Sequence, residues 1–68
     1  MGILTKREKE IFTLLVDHYS TREIASKLGI SEKTVRNHIS NVIQKLGVTS
    51  RIQAVLELIK LHELKIPD

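Results

Sequence analysis

Apolar positions along the chain recur at the period of an α-helix, and hydroxyl residues and glycines separate them into four segments. Within each segment the apolar residues lie three or four positions apart, whereas a half-buried strand would alternate apolar and polar residues. The pattern therefore predicts an all-α fold with four helices. We place these helices at residues 5–18, 21–28, 32–46 and 50–62, within a single domain over residues 1–68.

The ends of these helices carry recognisable capping residues. A hydroxyl side chain precedes each helix, and three of them have Glu or Gln three residues later, which is the spacing of a capping box. These boxes are Thr5–Glu8, Ser20–Glu23 and Ser50–Gln53, while Ser31 caps the third helix alone. Gly29 and Gly47 occupy positions where a left-handed C-cap is expected, and Pro67 would stop any continuation of the fourth helix.

The second and third helices are joined only by residues 28–31, a connection short enough for a helix-turn-helix. An ordinary pair of helices in a small bundle has the same kind of turn, so the connection alone does not distinguish it from a helix-turn-helix. The third helix adds a second observation. Its apolar residues form one stripe, and the opposite strip consists of side chains that all form hydrogen bonds: Lys33, Arg36, Asn37, Ser40 and Gln44.

This strip has the chemistry that reads a DNA major groove. Arg or Lys pairs with guanine, Asn or Gln pairs with adenine, and Ser makes a small contact. No acid lies on the strip itself, and residues 31–46 carry three basic residues against one acid, a net charge of +2 of the chain's +3. A solvated polar face is the alternative for any charged helix surface. The turn and the strip together favour DNA binding.

The fourth helix has two apolar stripes instead of one. Its first face carries Ile52, Val55, Leu56 and Ile59, and its opposite face carries Ala54, Leu58 and Leu61. A helix that is apolar on both sides needs two partners, and a second copy of the chain would supply the second one. The alternative is that the apolar residues of this helix form one wide arc that packs against a single core. We assign the small Ala54 to the core side, which leaves the Ile52 side for a dimer.

Composition narrows the function classes further. The 68 residues include no cysteine and 3% aromatic residues, which argues against disulfides, thiolate metal sites and a base-stacking platform. No run approaches the roughly 20 apolar residues of a membrane span. The three histidines, His18, His38 and His62, lack metal-site spacing, and we expect His38 to orient the third helix through a hydrogen bond. We therefore expect no cofactor, no metal, no small-molecule ligand and no enzymatic activity.

Several motifs together resemble the LuxR type of bacterial helix-turn-helix, also called the FixJ or NarL type of response-regulator output domain. They are Leu4-Thr5-Lys6-Arg7-Glu8, Glu23-Ile24-Ala25, the run from Ile30 to Ile39, Lys45-Leu46-Gly47-Val48 and Arg51-Ile52-Gln53-Ala54-Val55. The resemblance covers nearly the whole chain and is strongest to stand-alone regulators of spore-forming bacteria. One departure is His62, where close relatives often have a glycine that ends the fourth helix.

The resemblance implies a four-helix domain, without a wing, whose third helix enters the major groove and whose fourth helix forms a homodimer. The base contacts it implies are Arg36, Asn37 and Ser40. The DNA-backbone contacts we expect are Thr21, Arg22, Lys33, Thr34, Gln44 and Lys45. The dimer interface we expect consists of Ile52, Val55, Leu56 and Ile59.

The sequence therefore predicts a bacterial transcription regulator, cytoplasmic at the nucleoid, that binds inverted-repeat sites in double-stranded DNA as a homodimer. RNA polymerase is a further candidate partner, and no membrane is expected. The alternative is a protein-interaction module that keeps the scaffold and uses the polar strip for another protein. Duplex binding would fall steeply with salt through counterion release, whereas a mixed polar protein contact would depend on salt less.

Overall fold

Four α-helices account for the secondary structure of residues 2–66, the part of the chain that the computed structural model describes. They are α1 (Lys6–Val16), α2 (Thr21–Leu28), α3 (Glu32–Leu46) and α4 (Arg51–Lys60), with no strand among these residues. The all-α prediction is confirmed, and α2 and α3 have the predicted bounds. The predicted bounds of α1 (5–18) and α4 (50–62) were too long. Pro67 lies outside the described residues.

The helices begin where the hydroxyl residues predicted. Thr5, Ser20, Ser31 and Ser50 each accept a hydrogen bond from the backbone N–H three residues later. The capping boxes of α1 and α2 are complete, because Glu8 and Glu23 also accept from the N–H of the capping residue. The predicted box of α4 is only half formed. The Gln53 Oε1 atom accepts from the Thr49 N–H at 2.9 Å and from the Thr49 hydroxyl at 2.7 Å instead.

All four helices end in the same left-handed turn. The left-handed residues are Gly29, Gly47, His18 and His62, with φ between 61° and 70°. In α1 the N–H of Tyr19 donates to the Leu14 carbonyl at 3.0 Å, and in α4 the N–H of Glu63 donates to the Leu58 carbonyl at 2.8 Å. These bonds define a Schellman motif. The sequence predicted the two glycine turns and marked His62 only as a position where relatives often have a glycine, and it gave no signal for the turn at His18. The two histidine turns end α1 and α4 earlier than predicted.

The core lies between α3 and the other three helices, each of which packs on it. The fully buried side chains come from all four: Ile11 and Phe12 of α1, Ile24 of α2, Val35 and Val42 of α3, and Ala54 and Leu58 of α4. The core-facing assignment of Ala54 and Leu58 thus agrees with their burial. The helices described for residues 2–66 all lack the length and hydropathy of a membrane-spanning helix.

The placement of Leu61 on the core side was wrong. Leu61 is 46% exposed, because α4 ends at Lys60 and the left-handed turn at His62 then reverses the chain. The turn brings Leu64 into the core, where it is 6% exposed. The end of the chain therefore contributes a core residue from outside the helix.

Replacing His62 by glycine is expected to stabilise the domain. A left-handed backbone costs an L-residue about 1–2 kcal/mol, and the greater unfolded-state entropy of glycine offsets part of that gain. We expect the free energy of unfolding to rise by about 0.5–1 kcal/mol, measured by urea denaturation.

The control for that substitution is His38→Gly, which makes the same chemical change inside α3. We expect it to lower the free energy of unfolding by about 0.5–1 kcal/mol, because glycine is unfavourable in a helix interior. A loss of stability in His62→Gly would show that the His62 side chain contributes more than its backbone conformation costs.

Candidate nucleic-acid interface

The turn between α2 and α3 positions the candidate interface. Gly29 adopts φ 69°, and the N–H of Ile30 donates to the Ala25 carbonyl at 3.0 Å. Ser31 then caps α3 by accepting from the Thr34 N–H at 3.0 Å. The chain thus leaves one helix and enters the next within three residues, Gly29 to Ser31. This connection is a helix-turn-helix, as the sequence predicted.

The polar strip of α3 is exposed along its length. Lys33, Arg36, Asn37, Ser40 and Gln44 are all exposed, while Val35, Ile39 and Val42 on the other face are buried. The helix is held from one side only, because its apolar face packs on the three other helices. The opposite face offers guanidinium, ammonium, amide and hydroxyl groups to an external partner. These are the groups that hydrogen-bond to base edges and phosphates.

The one acid of residues 31–46, Glu32, lies beside this strip, and the sequence predicted neither of its contacts. The Glu32 Oε2 atom accepts hydrogen bonds from the Arg36 Nη2 atom at 2.6 Å and from the Thr21 hydroxyl at 2.8 Å. One carboxylate therefore joins the first residue of α2 to the arginine of the strip. The spacing of Glu32 and Arg36, four residues apart, is a signal that could have identified the pair. The contact with Thr21 had no local signal.

The residues expected to contact the DNA backbone occupy different environments. Arg22, Lys33 and Gln44 are exposed, whereas Thr21 and Thr34 are half-buried. The Thr34 hydroxyl lies 2.9 Å from the Ser31 hydroxyl in the cap of α3. All of them lie on α2 or α3, the two helices of the helix-turn-helix. Their contacts with DNA remain a prediction.

Lys45 is engaged inside the domain. Its Nζ atom donates to the Glu8 carboxylate at 2.7 Å and to the Ile3 carbonyl at 3.0 Å. The side chain of Glu8 is 6% exposed and that of Lys45 is 33% exposed. This pair joins the start of α1 to the end of α3. The sequence predicted Glu8 as a capping residue but had no signal for its partner, which lies 37 positions away.

The pKa of Glu8 is set by opposing effects. Burial alone would raise the pKa of this carboxyl, but the hydrogen bond from Lys45, the backbone hydrogen bond from Thr5 and the positive charge of Lys45 lower it. The result lies below the ordinary value of 4.5. Glu8 is therefore ionised at neutral pH, and its carboxylate accepts from both the Thr5 N–H and the Lys45 ammonium.

His38 does not have the expected role. It is half-buried at the edge of the apolar stripe, but its ring forms no hydrogen bond with any residue between 2 and 66. Apolar packing of the neighbouring Val35, Ile39 and Val42 orients α3 instead. Within the same residues no group of His, Asp and Glu side chains is arranged to hold a metal ion.

The outer face of α4 is apolar and uneven. Ile52 is 71% exposed and Leu56 is 61% exposed. Val55 and Ile59, assigned to the same face, are half-buried and pack against the core. A shallow depression continues from this face onto the end of α1, where Leu15, Val16 and Tyr19 line it. Ile52 and Leu56 are thus the exposed centre of an apolar surface that spans two helices.

A four-helix domain with a glycine turn and an exposed polar face on its third helix is a helix-turn-helix domain. Residues 2–58 match the model of the family described as bacterial regulatory proteins, luxR family. The chain is 64% identical to spore germination protein GerE of Bacillus subtilis (strain 168) over 64 residues, which are 94% of this chain and 86% of that protein. The chain therefore belongs to the luxR family of bacterial regulatory proteins.

Two further comparisons agree with this assignment. The solved structure of the transcription factor GerE superposes with a TM-score of 0.96 at 63% identity, covering 98% of this chain and 100% of that one. The transcriptional regulatory protein DegU of Brevibacillus brevis is 55% identical over 60 residues, which are 88% of this chain but 25% of that longer protein. The resemblance found in the sequence is confirmed. The chain is a DNA-binding transcription regulator and not an enzyme.

Glu8→Gln is expected to destabilise the domain in a pH-dependent way. At neutral pH the substitution removes a charged hydrogen-bond acceptor and should cost about 1–3 kcal/mol. Because the folded-state pKa of Glu8 lies below its unfolded value, the stability from its charge is present above pH 4.5 and is lost as pH falls through the folded-state value. Urea denaturation of wild type and variant from pH 7 to pH 3 should show the difference shrinking.

Glu10→Gln is the matched control, because Glu10 pairs with Arg7 at 3.5 Å on the exposed side of α1. Exposed pairs contribute about 0–1 kcal/mol, so this variant should differ little from wild type across the pH range. A difference between wild type and Glu8→Gln that stayed constant down to pH 3 would contradict the assigned role of the Glu8 charge.

Proposed function

We propose that this regulator binds inverted-repeat sites in double-stranded DNA as a homodimer, with α3 in the major groove. The observation that carries the proposal is the exposed strip of hydrogen-bonding side chains on α3, directly after the Gly29 turn. An α-helix fits the width of the major groove, where each base pair presents a distinct pattern of donors and acceptors. The buried opposite face of α3 supports the proposal, because it holds the strip rigidly.

Within the strip we assign base reading to Arg36, Asn37 and Ser40. They occupy the middle of α3, and all three are exposed. Arginine matches guanine and asparagine matches adenine by two hydrogen bonds each. The residues at the edges of the motif contact phosphates in this proposal: Arg22, Lys33, Thr34, Gln44, Lys45 and Thr21. Thr21 does so through its backbone N–H, because its hydroxyl donates to Glu32. Lys45 would do so with the ammonium N–H that its bonds to Glu8 and Ile3 leave over.

The dimer in this proposal forms through α4. Ile52 and Leu56 are the large apolar side chains that α4 exposes most, and Val55 and Ile59 border them. A second copy related by a two-fold axis would cover the same surface on both chains. Two such copies would place their third helices in successive major grooves, roughly 34 Å apart. The binding site would then be an inverted repeat.

The cellular setting follows from the partner. Duplex DNA as the target places the regulator in the bacterial cytoplasm, at the nucleoid. Contact with RNA polymerase is part of the same proposal, because a transcription regulator acts on the polymerase or on its access to the promoter.

Selection of binding sites from a random duplex library tests the proposal directly. We expect an enriched half-site, present twice in inverted orientation about one helical turn apart. Affinity for the selected duplex should fall linearly on a log–log plot against salt concentration, as counterion release requires. Failure to enrich any sequence, with salt-insensitive retention, would favour the protein-interaction module.

Substitutions in the strip should separate base reading from phosphate binding. Arg36→Ala or Asn37→Ala should weaken binding to the selected duplex by about 1–3 kcal/mol and leave binding to a scrambled duplex nearly unchanged. Lys33→Ala should weaken both duplexes alike and lower the salt slope by about one. Fluorescence anisotropy titrations on the two duplexes measure these effects. An equal loss on both duplexes in Asn37→Ala would refute base reading by that residue.

A charge on the outer face of α4 should break the dimer without unfolding the chain. Ile52→Glu places the carboxylate at a position that is 71% exposed in the monomer, so circular dichroism should remain helical. Sedimentation should show a monomer, and cooperative binding to the inverted repeat should be lost while single half-sites still bind weakly. Leu61→Glu is the control, because Leu61 lies outside the proposed interface and is 46% exposed. An unchanged association state in Ile52→Glu would refute the interface.

A further inference from the structure

Glu32 holds two of the residues assigned to the DNA interface. Its Oε2 atom accepts from the Arg36 guanidinium at 2.6 Å and from the Thr21 hydroxyl at 2.8 Å. Glu32 is the first residue of α3, and Thr21 is the first residue of α2. The bridge therefore joins the N-terminal ends of both helices of the motif to the arginine of the polar strip.

The second hydrogen bond distinguishes this arrangement from an ordinary surface pair. An exposed ion pair four residues apart on a helix orders its side chains weakly. Here Thr21 is half-buried, and its hydroxyl holds the carboxylate from a different helix. The carboxylate engages one terminal nitrogen of Arg36, the Nη2 atom, and the guanidinium has five N–H groups in a rigid fork. Donors remain for a bidentate contact with a base.

We propose that Glu32 is a positioning residue that sets the sequence specificity of Arg36. The inference rests on the proposed function, in which Arg36 reads a base edge. Held by Glu32, the guanidinium starts from one orientation instead of the many rotamers of a free arginine. The carboxylate also opposes capture of Arg36 by any nearby phosphate, since its own negative charge repels the DNA backbone. Glu32 thus lowers the affinity for every duplex, and it lowers the affinity least for a duplex in which Arg36 contacts its matching base.

The experiment compares Glu32→Gln with wild type on two duplexes of equal length, the library-selected duplex and a scrambled one, at the same salt concentration. We expect affinity for the scrambled duplex to rise, and the ratio of selected to scrambled affinity to fall by about tenfold. Glu10→Gln is the matched control, because it removes the same charge from an exposed ion pair on α1. The control should raise both affinities slightly and leave their ratio unchanged.

A double-mutant comparison tests whether Glu32 acts through Arg36. In an Arg36→Ala background, Glu32→Gln should no longer change the affinity ratio, because the group it positions is absent. Circular dichroism of every variant checks the fold. A tenfold fall of the ratio that persisted in the Arg36→Ala background would overturn the inference.

Thr21→Val gives an independent test without any change of charge. It removes the hydroxyl that holds the Glu32 carboxylate, so the affinity ratio should fall in the same direction as in Glu32→Gln. If Thr21 served only as a phosphate contact, both affinities would fall together, and that result would overturn the inference. A wild-type chain that did not distinguish the duplexes would overturn the proposed function as well. If the wild type distinguished the two duplexes but Glu32→Gln had the same affinity ratio as Glu10→Gln, this inference alone would be overturned.

Discussion

The contact between Glu8 and Lys45 is the constraint on which the placement of α3 depends. Glu8 is 5% exposed and is a charged side chain buried with the apolar core. Its carboxylate accepts from the backbone of Thr5 at 2.9 Å and from the ammonium of Lys45 at 2.7 Å. Leaving this acceptor without its partner costs about 1–3 kcal/mol, so packings of α1 on α3 that separate the two groups are disfavoured. The pair thereby selects one register between the two helices.

That register matters because α3 has two tasks on opposite faces. Val35, Ile39 and Val42 pack against the other helices, and the polar strip is left exposed. A core this small stabilises a fold only marginally, and the helix caps add to that stability. Every helix has a hydroxyl residue at its start and a left-handed turn at its end. Rigid ends and a single packed face together keep the strip in a defined orientation.

The helix-turn-helix presents less unpaired positive charge than its composition suggests. Residues 31–46 include three basic residues. Arg36 is paired with Glu32 and Lys45 with Glu8, whereas Lys33 forms no ion pair with any residue between 2 and 66. A surface of this kind attracts DNA less strongly than three free cations would. Part of the positive charge of α3 is therefore already paired within the domain.

The sequence by itself determined those features that depend on neighbours within one or two helical turns. The helix starts at Thr5, Ser20 and Ser31, the glycine turns at Gly29 and Gly47, and the exposed strip of α3 all follow from spacings of three or four residues. The family resemblance rests on the same local runs. These features could be predicted because each needs only side chains and backbone groups that adjoin along the helix.

Tertiary structure alone decided the rest. It paired Glu8 with Lys45 and Thr21 with Glu32, 37 and 11 positions apart, and no periodicity encodes such distances. It placed His18 and His62 in left-handed turns, and the turn at His62 brings Leu64 into the core. It also divided one apolar stripe of α4, exposing Ile52 and Leu56 and half-burying Val55 and Ile59. Whether an apolar side chain is covered depends on which helices lie beside it, and that is a property of the assembled fold.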